Sequence, residues 1–488
     1  MKLKYLSEED RRDIRALRHI SDVNEIADVL DQMLHRSFTV QALWEYRKWF
    51  DMLGEEQLQS HPALAVGVMQ CRILRGDLAE AREFLESLPP DHPYLIFCKM
   101  VLPGLPKEEL FELIRKAKEI GISPVPNMTL TAARPTVING VWDMTPMASF
   151  LKENKEEAIE LLTDLFGTQA ESIYEICMAE HLYWRDDCYN ALLQTVSVIP
   201  FLKERQDMRL LFAALTLEIY VLVLNAQTPS AAPMMKNLRQ QMHHAELDEY
   251  LPNIVALEAW MAMYDGDYVQ VTKWLREDAP DEYGRFCMLD VLRYMVKIRA
   301  YIISEKYLSV TALAGRLLPL LEEGERYMDC CELLTLWAIS DFSDGREPEA
   351  FERIEKALAL AERYSYDRLL ADEGVKVHEL LVKYRKTCPK SGDGDYLKRI
   401  IKLSERTASL HPRYLRKQLP ESPALTETEL RVLRLLAECH TNAQIAEITG
   451  TSLDNIKKHC KNINAKLCVR SRHQAVQRAT EYGILNPS

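Results

Sequence analysis

Five times within the first 350 residues, an apolar, helix-forming stretch ends in a tight polar turn, and a second helical stretch then opens on a small or β-branched residue. The turns are Arg75-Gly76-Asp77-Leu78 ahead of Ala81, Arg185-Asp186-Asp187-Cys188 ahead of Ala191, Asp265-Gly266-Asp267-Tyr268 ahead of Val271, Glu305-Lys306-Tyr307 ahead of Val310, and Asp344-Gly345-Arg346-Glu347 ahead of Ala350. Val271 and Val310 are 39 positions apart, Val310 and Ala350 are 40 apart, and Ala191 to Val271 is 80. A period near 40 with two helices per unit predicts an α-solenoid of tetratricopeptide-like helical hairpins. Where they occur in these turns, glycine ends one helix and aspartate caps the next, and the small residue lets the two helices cross closely. Each hairpin then needs its neighbours to cover its apolar face.

Two stretches interrupt that pattern. Residues 121–147 carry four prolines and few helix formers, and read as an irregular insertion or long loop. Residues 387–396 read as a turn, Tyr396 to Thr407 as a helical piece, and the proline-bearing HPRYLRKQLPESPA as a linker. The expected division is therefore a helical-repeat sensor or interaction domain at 1–385, a basic linker at 386–422 and a C-terminal domain at 423–488. The longest apolar run, Leu210 to Leu224, contains Thr216 and Glu218 and is too short for a membrane span; it predicts a buried helix.

The C-terminal pattern is more specific. Thr426 with Glu429 forms a capping box ahead of Leu430, Val432, Leu433, Leu435 and Leu436. After the Cys439-His440 break, Thr441 caps a second helix with Ile445, Ala446 and Ile448 facing inward. Thr449-Gly450-Thr451 makes the turn. Ser452 caps a third helix, in which Leu453, Ile456, Cys460, Ile463 and Leu467 step at helical spacing. The face opposite shows Asn455, Lys458 and Asn462, flanked by Lys457, His459, Lys461 and Lys466. That is the layout of a helix-turn-helix whose third helix enters the major groove of double-stranded DNA. Lysine can donate to guanine, and asparagine can pair with adenine. Thr441, Ser452 and the amides at the helix N-termini are placed for phosphates. His459 is open to two readings, a phosphate contact or a structural tie. A fourth helix from Ser471 carries Ala475, Val476, Ala479 and Tyr482 on one side, a candidate dimer contact, because one such module covers only a half-site.

Charge sharpens the division. The chain as a whole carries −12, but residues 1–382 hold 41 Lys+Arg against 63 Asp+Glu, while 383–420 hold 11 against 3 and 421–488 hold 9 against 7. From Asn455 to Thr480 there are seven basic residues and no acid. An acidic body repels phosphate, and the basic segment and tail can approach it. The eleven scattered cysteines form no C-x-x-C pair, and the histidines show no metal-ligand spacing, so no metal or cofactor is expected. MKLKYLSEEDRRD has no apolar stretch, which predicts a chain without a signal peptide, cytoplasmic and away from membranes. No catalytic triad, phosphate loop or acid–base pair stands out, so an enzyme is not expected. The seven tryptophans read as core.

The tail resembles the LuxR-type (GerE-like) helix-turn-helix. LTETELRVL, TNAQIA, SLDNIKKH and KLCV stand where that family has L-T-x-R-E-x-E-V-L, S-N-K-E-I-A, S-x-x-T-V-K-x-H and K-L-G-V. By this resemblance Lys457, Lys458 and Lys461 fall where the family reaches the major groove, and Thr441, Asn442, Ser452, Asn455 and Arg472 where it touches the backbone. The sequence departs at Thr428 and Arg431, where an internal ion pair is missing or rebuilt, at Cys439 and Cys468 in place of glycines, and at Thr449 and Thr451 in place of apolar turn residues. The body is similar in segments such as HPALAVGVMQCRILRGDLAEAREFL to the helical-repeat sensor of the MalT-like regulators. Those carry an ATPase, but no G-x-x-x-x-G-K-[ST] occurs here, so ATP-driven switching is not carried over.

Together these patterns imply an all-α chain, a solenoid followed by a four-helix LuxR-type domain. The expected function is transcription regulation, as an activator, by a homodimer on DNA. A small-molecule or protein effector at the solenoid would control binding, with RNA polymerase as a further partner. The alternative is a peptide-binding solenoid scaffold with a vestigial DNA module.

Overall fold

The computed structural model describes residues 6–35, 40–120, 134–140, 143–388, 394–416, 425–438, 440–467, 469, 471–481 and 485. Among these residues every regular element is a helix, with one isolated antiparallel bridge between Asn139 and Asp143. The chain forms two compact units, Met1–Leu415 and Arg416–Ser488. No helix among the described residues is long and apolar enough to cross a membrane.

The hairpin periodicity of the first unit is written in its backbone. Left-handed residues recur at Asp186, Gln206, Ala226, Glu246 and Gly266, then at Glu305, Glu325, Gly345 and Ser365. At each, the next residue's N–H donates to the carbonyl five positions back, as in Asp187 to Leu182, Gln227 to Leu222 and Arg346 to Asp341, at 2.8–2.9 Å. This Schellman closure satisfies carbonyls that the helix end leaves open. Asp187, Asp207 and Asp267 then cap the following helices, each side chain accepting from the N–H three residues on. The double spacing between Ala191 and Val271 is also explained. A hairpin turn does lie between them, at Asn225-Ala226-Gln227, but it uses neither glycine nor aspartate.

Within each hairpin the two helices differ. Met208–Leu224, Val291–Ile303 and Tyr327–Ser343 are buried on most sides. Their partners bury a single stripe, for example Ala350, Ile354, Ala357 and Ala361 in Glu347–Tyr364. The small residues after the turns, Ala81, Ala191, Val271, Val310 and Ala350, are all buried, which gives the close crossings expected of them.

The interior of this unit is not purely apolar. The described end of the irregular stretch, residues 134–140, threads into it. Glu180 accepts from Thr136 Oγ1 at 2.6 Å and from the N–H groups of Val137 and Ile138 at 2.9 and 2.8 Å. Arg134 pairs with Asp329 at 2.5 Å and with Glu332; Arg299 pairs with Glu332 at 2.8 Å and with Glu373; Arg326 pairs with Asp329 at 2.7 Å. All of these side chains are buried. Burial opposes ionisation of Asp329 and Glu332, yet the arginines around them hold both carboxyls below their ordinary range. Residues 121–133 of the stretch read as an insertion lie outside the described residues.

The first unit also runs further than the sequence division placed it. Asp395–Leu410, inside the segment read as basic linker, is a helix packed on Gly374–Thr387 with Leu397, Ile400 and Thr407 buried. Its lysines and arginines lie on the remaining surface. The chain is then fastened by His411, whose Nε2 lies 3.2 Å from the Leu224 carbonyl, and by Tyr414. Tyr414 stacks on Tyr264 at 3.9 Å and donates to Glu373 at 3.1 Å. The boundary is therefore at Leu415 and not at 385. Four of the segment's basic residues, Lys398, Arg399, Lys402 and Arg406, belong to this amphipathic helix, and residues 417–424 lie outside the described residues.

Candidate nucleic-acid interface

The second unit is built from its caps inward. Thr426 and Glu429 form the reciprocal capping box of Glu427–Ala437, at 2.8 and 3.3 Å. Thr441 and Gln444 form a second box at Asn442–Thr449. The turn closes on Gly450 at φ 68°, and Ser452 Oγ accepts from Asn455 N to start Leu453–Lys466. The polar turn is accommodated, because Thr449 donates to the Ile445 carbonyl at 2.6 Å and its hydroxyl lies 3.1 Å from that of Thr451. Val432, Leu433, Leu436, Ile445, Ala446, Ile456, Ile463 and Leu467 make the core. Two residues expected there are outside it: Ile448 is 45% and Leu453 is 42% exposed. Ile448 lies on the flank of a helix only eight residues long, and Leu453 opens a first turn that projects beyond the packed helices.

Lys457, Lys458, Lys461, Asn455 and Asn462 are all exposed on the third helix. Lys457 faces one carboxylate, Asp454, across 3.4 Å in water, a weak pair; Lys458 and Lys461 face none among the described residues. Thr441 and Ser452 are exposed at the N-termini of the second and third helices, and Asn442 beside Thr441 is half-buried. Most of these residues are thus accessible from solvent, on the third helix or at the N-terminus of the second or third. His459 is half-buried, and its Nδ1 meets no partner among the described residues.

Two basic residues expected at DNA are engaged elsewhere. Lys466 Nζ lies 2.6 Å from Glu429, whose side chain is buried, so the pair ties the first helix to the third. Against the cost of burial, Lys466 and Thr426 hold the Glu429 carboxyl below its ordinary range. Arg472 donates to the carbonyls of Leu436 and His440 at 3.1 and 2.5 Å, closing the C-terminal end of the first helix. The expected dimer face needs the same correction. Ala475 and Ala479 are wholly buried in the unit's own core beneath Arg472–Glu481, which leaves their methyl groups no surface for a partner. Val476 is half-buried; Tyr482, Cys439 and Cys468 lie outside the described residues.

The family comparison decides what this geometry belongs to. Residues 423–479 match the model of the bacterial regulatory proteins of the luxR family. They form a LuxR-family helix-turn-helix domain. Over 61 residues the chain is 36% identical to the response regulator protein VraR of Staphylococcus aureus, Staphylococcus saprophyticus and Staphylococcus epidermidis. The aligned part is 12% of this chain and 29% of each relative, so the chain spans less than a third of the length of the curated relatives it matches. The match lies within the second unit, Arg416–Ser488. Among the described residues no group of His, Cys, Asp and Glu could hold a metal ion.

Proposed function

We propose that this protein is a sequence-specific, cytoplasmic activator whose helical-repeat body senses a ligand or protein partner and thereby controls DNA binding by paired C-terminal domains. Lys457, Lys458 and Lys461, with Asn455 and Asn462, enter the major groove; Thr441, Asn442 and Ser452 hold the flanking phosphates. Lys466 and Arg472 are left out of the contact set, since their charges serve the domain's own fold. Pairing of two chains raises affinity through effective concentration. Its surface is not the Ala475–Ala479 face, and Val476 is the one described member of that group with exposed area. RNA polymerase is the partner through which activation would act.

The observation that carries this reading is the row of exposed lysines on a helix whose opposite side builds the core of a LuxR-family domain. Capture of sheared genomic DNA by the full-length protein at near-physiological salt, followed by sequencing, tests it. The control carries Lys457, Lys458 and Lys461 all changed to Ala. A few upstream regions should be enriched by the native protein and lost by the control. Equal, flat recovery by both would overturn the reading and favour a scaffold with an inactive DNA module.

A further inference from the structure

The first unit holds a cavity of about 580 Å³ that is partly open to solvent. Its walls come from hairpins far apart in sequence. Gly76 lies so close to Leu320 that a Cβ there would sit 3.1 Å from Leu320 Cδ2, so the first hairpins and those beyond residue 285 meet around it. Most of the lining is apolar, with Leu102, Phe111, Phe150, Leu161, Leu162 and Ile173 prominent, and the Phe111 and Phe150 rings are 4.7 Å apart. A volume in this range is typical of pockets that take a small molecule.

The polar groups at the cavity are of two kinds. The acids are already used. Asp143 accepts from the N–H groups of Met328 and Thr145, Asp207 caps the helix at Leu210 and accepts from Gln169, and Glu325 accepts from the Tyr327 hydroxyl. Among the arginines, Arg326 is bound to Asp329, but Arg209 and Arg363 pair with no carboxylate among the described residues. Arg363 also lies over the Tyr364 ring at 5.2 Å, and two guanidinium groups without a carboxylate partner beside an apolar chamber suit an acid with an apolar body.

We infer that this cavity is the effector site of the body, and that it takes an amphipathic monoanion, an apolar chain or ring system with one acidic head directed to Arg209 and Arg363. The inference rests on reading the body as a sensor and names what it senses.

The test is a fluorescence titration of the full-length protein with cis-parinaric acid, a long-chain carboxylic acid that fluoresces when sheltered from water, and with its methyl ester. The acid should bind saturably, one molecule per chain, and about tenfold more tightly than the uncharged ester. Changing Arg209 and Arg363 together to Gln should remove that preference; the two side chains are half-buried and exposed, so the fold is little affected. Leu162→Trp should fill the chamber and weaken both probes, with an unchanged melting curve as the check on folding. No saturable binding, or binding indifferent to both variants, overturns the inference. Because the titration contains no DNA, its failure is separable from that of the regulator reading, which the genomic capture decides alone.

Discussion

Arginine in the helical-repeat body and lysine in the C-terminal domain carry the same charge to opposite places. Arg134, Arg299 and Arg368 are buried and held by carboxylates distant in sequence, and buried Arg326 is held by Asp329 three residues on. Lys457, Lys458 and Lys461 stand in water with at most one weak partner. The chemistry of the two side chains suits the division. A planar guanidinium can satisfy two carboxylates at fixed angles, while an ammonium on a flexible stem is a mobile point charge suited to phosphates and base edges. The body uses cations to hold one arrangement of helices, while the third helix of the C-terminal domain leaves Lys457, Lys458 and Lys461 in water. A cation removed from the body should therefore cost stability, and one removed from the recognition helix should cost DNA affinity.

The largest effect is expected in the body. Glu332→Ala leaves Arg134 and Arg299 without the acceptor they share, and should lower unfolding free energy by about 3–5 kcal/mol in a denaturant titration. A loss near zero would mean that the network is well solvated and not structural. Next comes the recognition helix: Lys458→Ala should weaken specific DNA binding by about 1–3 kcal/mol and relax preference at one base pair if it reads a base edge. A uniform loss over all sequences would reassign it to phosphate. Lys466→Ala sharpens the contrast, because it is a lysine used as the body uses arginine. It should destabilise the C-terminal domain by about 1–2 kcal/mol by stranding Glu429, with the salt dependence of DNA binding unchanged. A shallower salt dependence instead would return Lys466 to the DNA contacts.

The smallest effect is a slope. Burial raises the Glu180 carboxyl from 4.5 to about 7, against the hydrogen bonds it accepts from Thr136, Ile138 and Val137. Between those values the folded body holds more protons than the unfolded chain, so this group's contribution to stability falls as pH rises. The stability of Glu180→Gln relative to the native protein should therefore climb across that window, by at most about 1.4 kcal/mol per pH unit, and level off above pH 7. A flat difference would show that the three donors keep Glu180 ionised throughout.

The two regions also differed in how far their sequences could be read. The C-terminal domain announces itself locally, since Thr426, Thr441 and Ser452 cap helices at fixed distances from the residues they serve. Most of the hairpin turns read from sequence carried glycine or aspartate, Glu305-Lys306-Tyr307 being the exception, while the turn at Ala226, where an ordinary residue takes the left-handed conformation, was not visible. The network around Arg134 was out of reach, because its partners Asp329 and Glu332 lie nearly 200 positions away and nothing local distinguishes a buried arginine from a surface one. Asp395–Leu410 was misassigned for a different reason. Its helical character was legible over Tyr396 to Thr407, but its packing on Gly374–Thr387, which makes it part of the body, is a tertiary contact that local spacing does not reveal. The small-residue face at Ala475 and Ala479 correctly signalled close packing; only the structure shows that the neighbour is the domain's own core.

The most direct test of the central claim is DNA affinity as a function of salt, measured for the native protein and for the variant with Lys457, Lys458 and Lys461 changed to Ala, on a captured upstream region and on a scrambled control. The account predicts a steep salt dependence for the native protein, tighter binding to the captured region, and in the variant a loss of that preference with a slope shallower by about 1–3. Identical affinities and slopes for the two proteins would contradict it, and would show that the exposed lysines of the third helix do not meet DNA.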